Sequence, residues 1–327
     1  LAEWRSGDYL RLVKNESFDD AANVCFKEVI FYTQADHDAM VRRAEAGEID
    51  MNNSFPTGQL EQTEKRLPGW PRVSAMMATT YLSANQTRAP FNDARVRKAM
   101  ALAIDREHIT RNILKGGEIP AYSFVPEGMN GYPKTAEFSW KSMPLDQRRA
   151  EARALLEQAG YGPSKPLTFE YIYRASGNNP RIAPVLQENW SRIAEWVKPE
   201  IRQVETKDLY KQMQSKDYTL SDGGWVADYN DPYNFLYLMD SRTGAMNYGG
   251  YANPAYDKLI DQSNVELDPA KRAEILKQAE QLMLDETATI PVLVRVTQDI
   301  VSPDITGYED NAEDIHRSRY MCRKKAG

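Results

Sequence analysis

Two places in this chain set a capping side chain directly before a proline, Asn253-Pro254 and Asp268-Pro269. Asparagine or aspartate at that position accepts hydrogen bonds from the free N–H groups of a starting helix, and proline in the first turn forfeits no bond there. Helices are therefore predicted to start at Pro254 and Pro269. Stretches of a different period surround them, rich in β-branched and aromatic residues: 24–32, 73–85, 167–173, 201–204, 218–221 and 290–296. These read as strands, and 8–13 alternates polar and apolar like a half-buried one. Strands interleaved with helices confine the chain to α/β or α+β layers.

More helices are predicted from the same signals. Over 36–46, Met40, Val41 and Ala44 share a face ahead of Gly47, and helices are also predicted at 146–159 and about 181–197. Asn92 or Asp93 is predicted to cap one long helix in which Val96, Met100, Ile104, Ile109 and Ile113 recur as far as Gly116-Gly117. In that register Arg106-Glu107-His108 faces solvent. Residues 52–56 and 68–71 are turn-rich.

At 327 residues the chain has room for two domains of ordinary size. A net charge of −6 and a pI near 5.4 argue against a nucleic-acid partner. The single basic cluster, Arg317 to Lys325, reads as a solvated end. No apolar run is long enough for a membrane span. Cys25 and Cys322 stand at opposite ends of the chain and could form one disulfide or remain two buried thiols.

The motifs of catalysis are missing: no nucleophile elbow, phosphate-binding loop, dinucleotide fingerprint or HExxH. His37, His108 and His316 lie far apart, without a carboxylate or histidine at ligand spacing, so no metal is expected. Glu151, Glu157, Glu274, Glu280 and Asp285 fall on helices whose charged faces are ordinarily solvated. The segment that stands out is Gly223-Gly224-Trp225-Val226-Ala227-Asp228-Tyr229-Asn230-Asp231-Pro232. Two glycines at a strand end allow close approach of a backbone or ligand. Trp225 and Tyr229 offer large surfaces around Asp228, a carboxylate suited to a ligand ammonium. A plainer reading is that Asp228 or Asn230 caps a helix starting near Asn234.

Several stretches, in order, carry a resemblance: 44–50 (AEAGEID), 90–99 (PFNDARVRKA), 103–106 (AIDR), 150–160 (AEARALLEQAG), 224–228 (GWVAD) and 251–257 (YANPAYD). Together they resemble the extracytoplasmic solute-binding proteins of peptide ABC importers (family 5), the oligopeptide-binding proteins above all, over essentially the whole chain. The resemblance implies an α/β, periplasmic-binding-protein-like two-lobe fold. Residues 1–77 and 297–327 would be the remainder of a truncated first lobe, and 78–296 a nearly complete second lobe. The beginning would then correspond to mid-chain in the family, with roughly the first third to two fifths of a typical member absent. Such a first-lobe remnant is expected to expose sheet edges and apolar surface.

The same resemblance implies binding of an oligopeptide and delivery to permease subunits, with no catalysis and no cofactor. The setting would be periplasmic, or extracytoplasmic with a lipid anchor on the absent part. Asp228 would pair with the peptide α-ammonium, Trp225 would line a side-chain pocket, and Gly224 to Ala227 would offer backbone, with Tyr229 nearby. Asn53 resembles a first-lobe contact. Departures stand beside these matches. A disulfide of enterobacterial members would fall on Met77 and Val226, and their basic residues for the peptide C-terminus on Leu114, Asn179 and Asp222. The same scaffold with a non-peptide solute (a modified peptide, sugar or metal chelate) is the alternative, and a carboxylate-pair hydrolase a distant one.

Overall fold

The computed structural model describes residues 1–33 and 36–324, so Lys325 of the basic cluster lies outside the described residues. The chain divides into two compact units. Leu1–Met76, Lys115–Gly117 and Val296–Gly327 form the first, and Met77–Leu114 with Glu118–Arg295 the second. Both mix strands and helices, an α/β architecture.

In the first unit Glu3–Arg5, Tyr9–Val13 and Glu28–Tyr32 form an antiparallel sheet in chain order. The last of these strands begins only at Glu28, because Ala21–Asn23 is a 3-10 turn and Cys25 is drawn into a disulfide with Cys322. Trp4, Leu10 and Phe31 form one cross-strand row. A second small sheet orders Met51–Asn52, Asp299–Val301 and Pro71–Arg72. Its Ile300 packs with Met40, Val41 and Ala44 of the helix His37–Glu45, whose N-terminus is capped by Asp36. The basic end is solvated as expected, with Arg317, Arg319, Arg323 and Lys324 all exposed, while its backbone is tied down. Cys322–Arg323 pairs with Ile305–Thr306, Lys324 N–H donates to the Asp304 carbonyl at 2.8 Å, and Arg319 lies over the Tyr320 ring.

The second unit is built on a six-stranded sheet in the order Ile119–Pro120, Ile290–Val296, Ala75–Ala84, Leu220–Val226, Leu167–Arg174, Val197–Val204. One continuous core joins it to the helices Ala94–Ala103, Leu145–Gln158 and Asn179–Ser191 through Met100, Leu156, Trp190, Leu220 and Val292. The two cap-and-proline starts open Pro254–Val265 and Pro269–Asp285, and the Asn253 and Asp268 side chains each accept from two backbone N–H groups.

The long helix expected from Asp93 to Gly116 is broken after Ala103. Ile104 is extended, Asp105 caps a fresh turn at Arg106–His108, and Ile109–Leu114 continues as a π-helix. Side chains take over the helix end. Asp105 N–H donates to Asn189 Oδ1 at 2.7 Å, Arg106 Nη1 to the Ala101 carbonyl at 3.1 Å, and Arg148 Nη1 to the Ile104 carbonyl at 3.0 Å. Arg106 is thus fully buried, not solvent-facing, with its guanidinium against the Tyr122 and Trp140 rings. Glu280 is also fully buried rather than solvated. Its carboxylate accepts from the N–H groups of Phe124, Val125 and Ala136 and from the Tyr132 hydroxyl, pinning the 121–138 loop to the helix Pro269–Asp285.

Candidate ligand-binding site

Leu220–Val226 runs antiparallel to Ala75–Ala84, with Gly223 opposite Tyr81, Gly224 opposite Thr80 and Val226 opposite Ala78. Its other edge pairs only through Leu220 and Ser221, with Tyr171 and Ile172. Among the described residues no backbone pairing continues along that edge over 222–226, although the neighbouring strand runs on to Arg174. Pairing passes there to side chains, since Arg174 Nε donates to Asp222 Oδ2 at 2.9 Å. An open edge of this kind offers unpaired backbone groups to another strand.

The two glycines do not leave empty space. A Cβ on Gly223 would come within 2.7 Å of the Tyr81 ring, and one on Gly224 would collide with Nη2 of Arg295. The room anticipated for a ligand is filled from neighbouring strands, so the glycines serve close packing of the protein's own side chains. Around Gly224 the charges are uneven. Burial raises the Asp222 carboxyl, and Arg174 offsets this only in part. Arg174 is itself lowered by burial, yet Asp222 carries it above its ordinary value. Burial and then the nearby Arg174 pull Arg295 down.

Beyond the strand, the Ala227 N–H is already given to the Met77 carbonyl at 2.8 Å. The buried Asn234 organises the adjoining turn. Its Oδ1 accepts from Trp225 Nε1 at 2.8 Å and from the Asp228 N–H at 3.1 Å. Trp225 also meets Tyr237 edge to face, with centroids 5.9 Å apart. Neither Asp228 nor Asn230 caps the short helix Tyr233–Leu236, whose N-cap position is Pro232, and Asp231 braces the turn before it. Asp231 Oδ1 accepts from Tyr233 N–H at 2.8 Å, and both its oxygens pair with Arg272 at 2.8 and 3.0 Å. Asn230 instead accepts from the Asn130 N–H at 2.7 Å. Asp228 and Tyr229 are left exposed, and among the described residues no donor binds the Asp228 carboxylate. After burial, its charge is the next cause of a raised Tyr237 hydroxyl.

The structure therefore brings Gly224, Trp225, Ala227, Asp228 and Tyr229 together on one strand end and its turn. Asn53 belongs to the first unit, exposed just after Met51–Asn52. Arg174, Asn234, Arg272 and Arg295 escaped sequence reasoning. A polar residue inside the apolar run Tyr233-Asn234-Phe235-Leu236 could have flagged Asn234, whereas no local pattern marks Arg295.

One group contradicts the expectation that His316 has no carboxylate nearby. Asp299, Asp314 and His316 converge in the first unit, their ligand atoms within 4.8 Å of one another. Asp314 reaches His316 Nε2 at 3.1 Å from a left-handed backbone, φ +55°. Asn311 Oδ1 accepts from the N–H groups of Glu313 and Ile315, so its amide N–H faces His316 Nδ1. The Tyr308 hydroxyl donates to Asp299 Oδ2 at 3.0 Å.

Residues 1–247 match the family described as bacterial extracellular solute-binding proteins, family 5 Middle. The chain belongs to this family. Among family 5 relatives is the periplasmic oligopeptide-binding protein OppA of Salmonella typhimurium, 32% identical over 319 residues, which cover 97% of this chain and 58% of OppA. Another carries the name "Probable deoxycholate-binding periplasmic protein YgiS" in Escherichia coli, and is 30% identical over 99% of this chain and 60% of its own. The solved structure of the Escherichia coli murein tripeptide binding protein MppA matches with a TM-score of 0.83 at 30% identity, over 99% of this chain and 63% of that one. The chain thus spans about three fifths of the length of these family 5 relatives. Family 5 proteins bind solutes rather than transform them. Among the described residues no helix is long and apolar enough to cross a membrane.

Proposed function

We propose that this chain is part of a solute-binding protein that captures peptides in the periplasm, or an equivalent extracytoplasmic space, and hands them to the permease of an ABC importer. The observation that carries this reading is the unpaired strand edge over 222–226, which ends at the exposed, unpartnered carboxylate of Asp228. A peptide added along that edge bonds through its main chain, whatever its side chains. Its α-ammonium then meets Asp228 in a charge-assisted pair. Trp225, fixed by Asn234, and Tyr229 give flat surface to side chains. Ala227 contributes less backbone than the resemblance implies, since its N–H is spent on Met77. Asn53 stands in this reading on the resemblance alone. The two compact units are read as parts of the two lobes of such a protein.

OppA and MppA, named for oligopeptide and murein tripeptide binding, support a peptide ligand. A second reading keeps the scaffold and changes the solute, and the similarity to a protein named for deoxycholate supports it. Thermal unfolding of the 327-residue chain with a pool of tri- to pentapeptides separates the two. Free-amine peptides should raise the Tm, the same pool N-acetylated should not, and Asp228→Asn should erase the difference. A Tm moved by neither pool overturns the peptide reading, and a Tm moved by deoxycholate alone favours the second.

A further inference from the structure

We infer that Arg174 and Arg295 form a subsite for a carboxylate of the ligand, beside Gly224 and upstream of Asp228. The inference rests on the peptide reading above and narrows it to short ligands that carry a free acid.

Arg295, Thr80, Gly224 and Arg174 come from four strands that are consecutive in the sheet, and Thr80 lies directly opposite Gly224. The missing side chain at Gly224 is what admits both guanidiniums. The point where its Cβ would stand is overlapped by Arg295 Nη2 and lies 3.4 Å from Arg174 Nη2. Two cations therefore converge on one place above the strand.

Their charge is only half answered. Asp222 is fully buried and gives Oδ2 to Arg174, while its Oδ1 is buried without a hydrogen-bond partner. Arg174 Nη1 donates to the Tyr210 hydroxyl at 3.1 Å, which holds that guanidinium in place. Arg295 donates Nε to Thr80 Oγ1 at 3.1 Å and has no ion pair among the described residues. Among the described residues its Nη groups, with Nη2 of Arg174, have no acceptor. Holding like charges close in a partly desolvated place costs free energy, and packing alone would be met by an uncharged side chain of similar length. An incoming carboxylate turns that repulsion into hydrogen bonds that the planar guanidinium fork is shaped to make.

The spacing sets the ligand's size. The chain from Gly224 to Asp228 reaches no further than about 14 Å at roughly 3.6 Å per residue. A peptide with its ammonium at Asp228 and a carboxylate at the arginines runs antiparallel to Leu220–Val226. At about 3.4 Å per residue it holds four residues or roughly that limit. The carboxylate can be a C-terminus or an acidic side chain. The chemistry is shared, and the two are separated by experiment.

The test is calorimetric titration of the 327-residue chain with trialanine, trialanine amide, N-acetyltrialanine, Ala-Glu-Ala amide and hexaalanine. Trialanine should bind at least tenfold more tightly than its amide and than hexaalanine. In Arg295→Met, acid and amide should bind alike, at the amide's affinity, while N-acetylation still weakens binding. Arg295→Lys, which keeps the charge without the fork, should recover part of the discrimination, a response that a merely structural arginine would not give. Recovery of affinity by Ala-Glu-Ala amide assigns the subsite to side-chain acids as well. Equal binding of trialanine and its amide to the unsubstituted chain, with N-acetylation still costly, overturns the carboxylate subsite and leaves Asp228 standing. Binding of none of the five overturns both.

Discussion

The side-chain oxygen of Asn234 accepts the indole N–H of Trp225 at 2.8 Å and, from the same buried position, the backbone N–H of Asp228 at 3.1 Å. One acceptor thus fixes both the aromatic surface and the turn that carries the carboxylate. Asn234→Ala strands two donors, a change that ordinarily costs about 1–3 kcal/mol. Urea unfolding should show that loss, the tryptophan emission should shift, and trialanine affinity should fall with it. Asn234→Asp, which keeps an acceptor oxygen, should lose less. Equal stability of Asn234→Ala and the parent chain would rule out the anchoring role.

Neighbouring glycines should answer differently to alanine. At Gly223 the new methyl meets the ring of Tyr81, which is 2% exposed and cannot yield cheaply. Overpacking of that sort costs about 1–3 kcal/mol. At Gly224 it meets the far end of Arg295, a side chain able to swing aside. Gly224→Ala should therefore leave the urea midpoint nearly unchanged while weakening trialanine binding. A reversed order of the two midpoints would contradict the packing described.

Glu280 makes stability depend on pH. Burial pushes its carboxyl up to about 7 from an ordinary 4.5, and the donors Val125, Tyr132, Ala136 and Phe124 offset this only in part. The folded state thus holds a proton that the unfolded state releases. The stability this contributes is complete below pH 4.5 and is lost as pH rises through about 7. The unfolding free energy from urea titrations followed from pH 4.5 to about 8.5 should fall, by an amount on the order of 3 kcal/mol. Glu280→Gln should flatten that slope whatever its effect on absolute stability. An unchanged slope in the variant would assign the pH dependence elsewhere.

The first sheet leaves apolar side chains in water. Trp4 is 68% exposed and Phe31 49%, in the same cross-strand row as Leu10. Such a patch on a sheet invites association. Sedimentation velocity should show concentration-dependent self-association with binding of an apolar dye, and Trp4→Glu with Phe31→Glu should reduce both. A monomer at high concentration that ignores the dye would contradict this.

Sequence alone reveals the features that near neighbours decide. The caps Asp36, Asp93, Asn253 and Asp268 act on N–H groups within three residues, so their signal is local and each helix starts where expected. The long helix through Ile104 failed because its end is satisfied by Asn189 and Arg148, remote in the chain. Gly223 and Gly224 were recognised as places of close approach, but their occupants, Tyr81 and Arg295, come from other strands. Glu280 looked solvated because the donors that bury it lie in a distant loop. The open edge over 222–226 is a statement about where pairing with a neighbouring strand stops, which no spacing within Leu220–Val226 encodes.

The bond between Cys25 and Cys322 closes almost the whole polypeptide into a ring, and the entire second unit lies within it. A single peptide-bond cut anywhere inside that ring therefore opens it without releasing a piece. The nicked molecule would run as one band on a non-reducing gel and as two once the sulfurs are reduced. New termini could be placed in any exposed turn of the second unit while residues 25 and 322 stay covalently joined. Split reporters can be built on this protein with the disulfide, rather than the backbone, keeping the two fragments together.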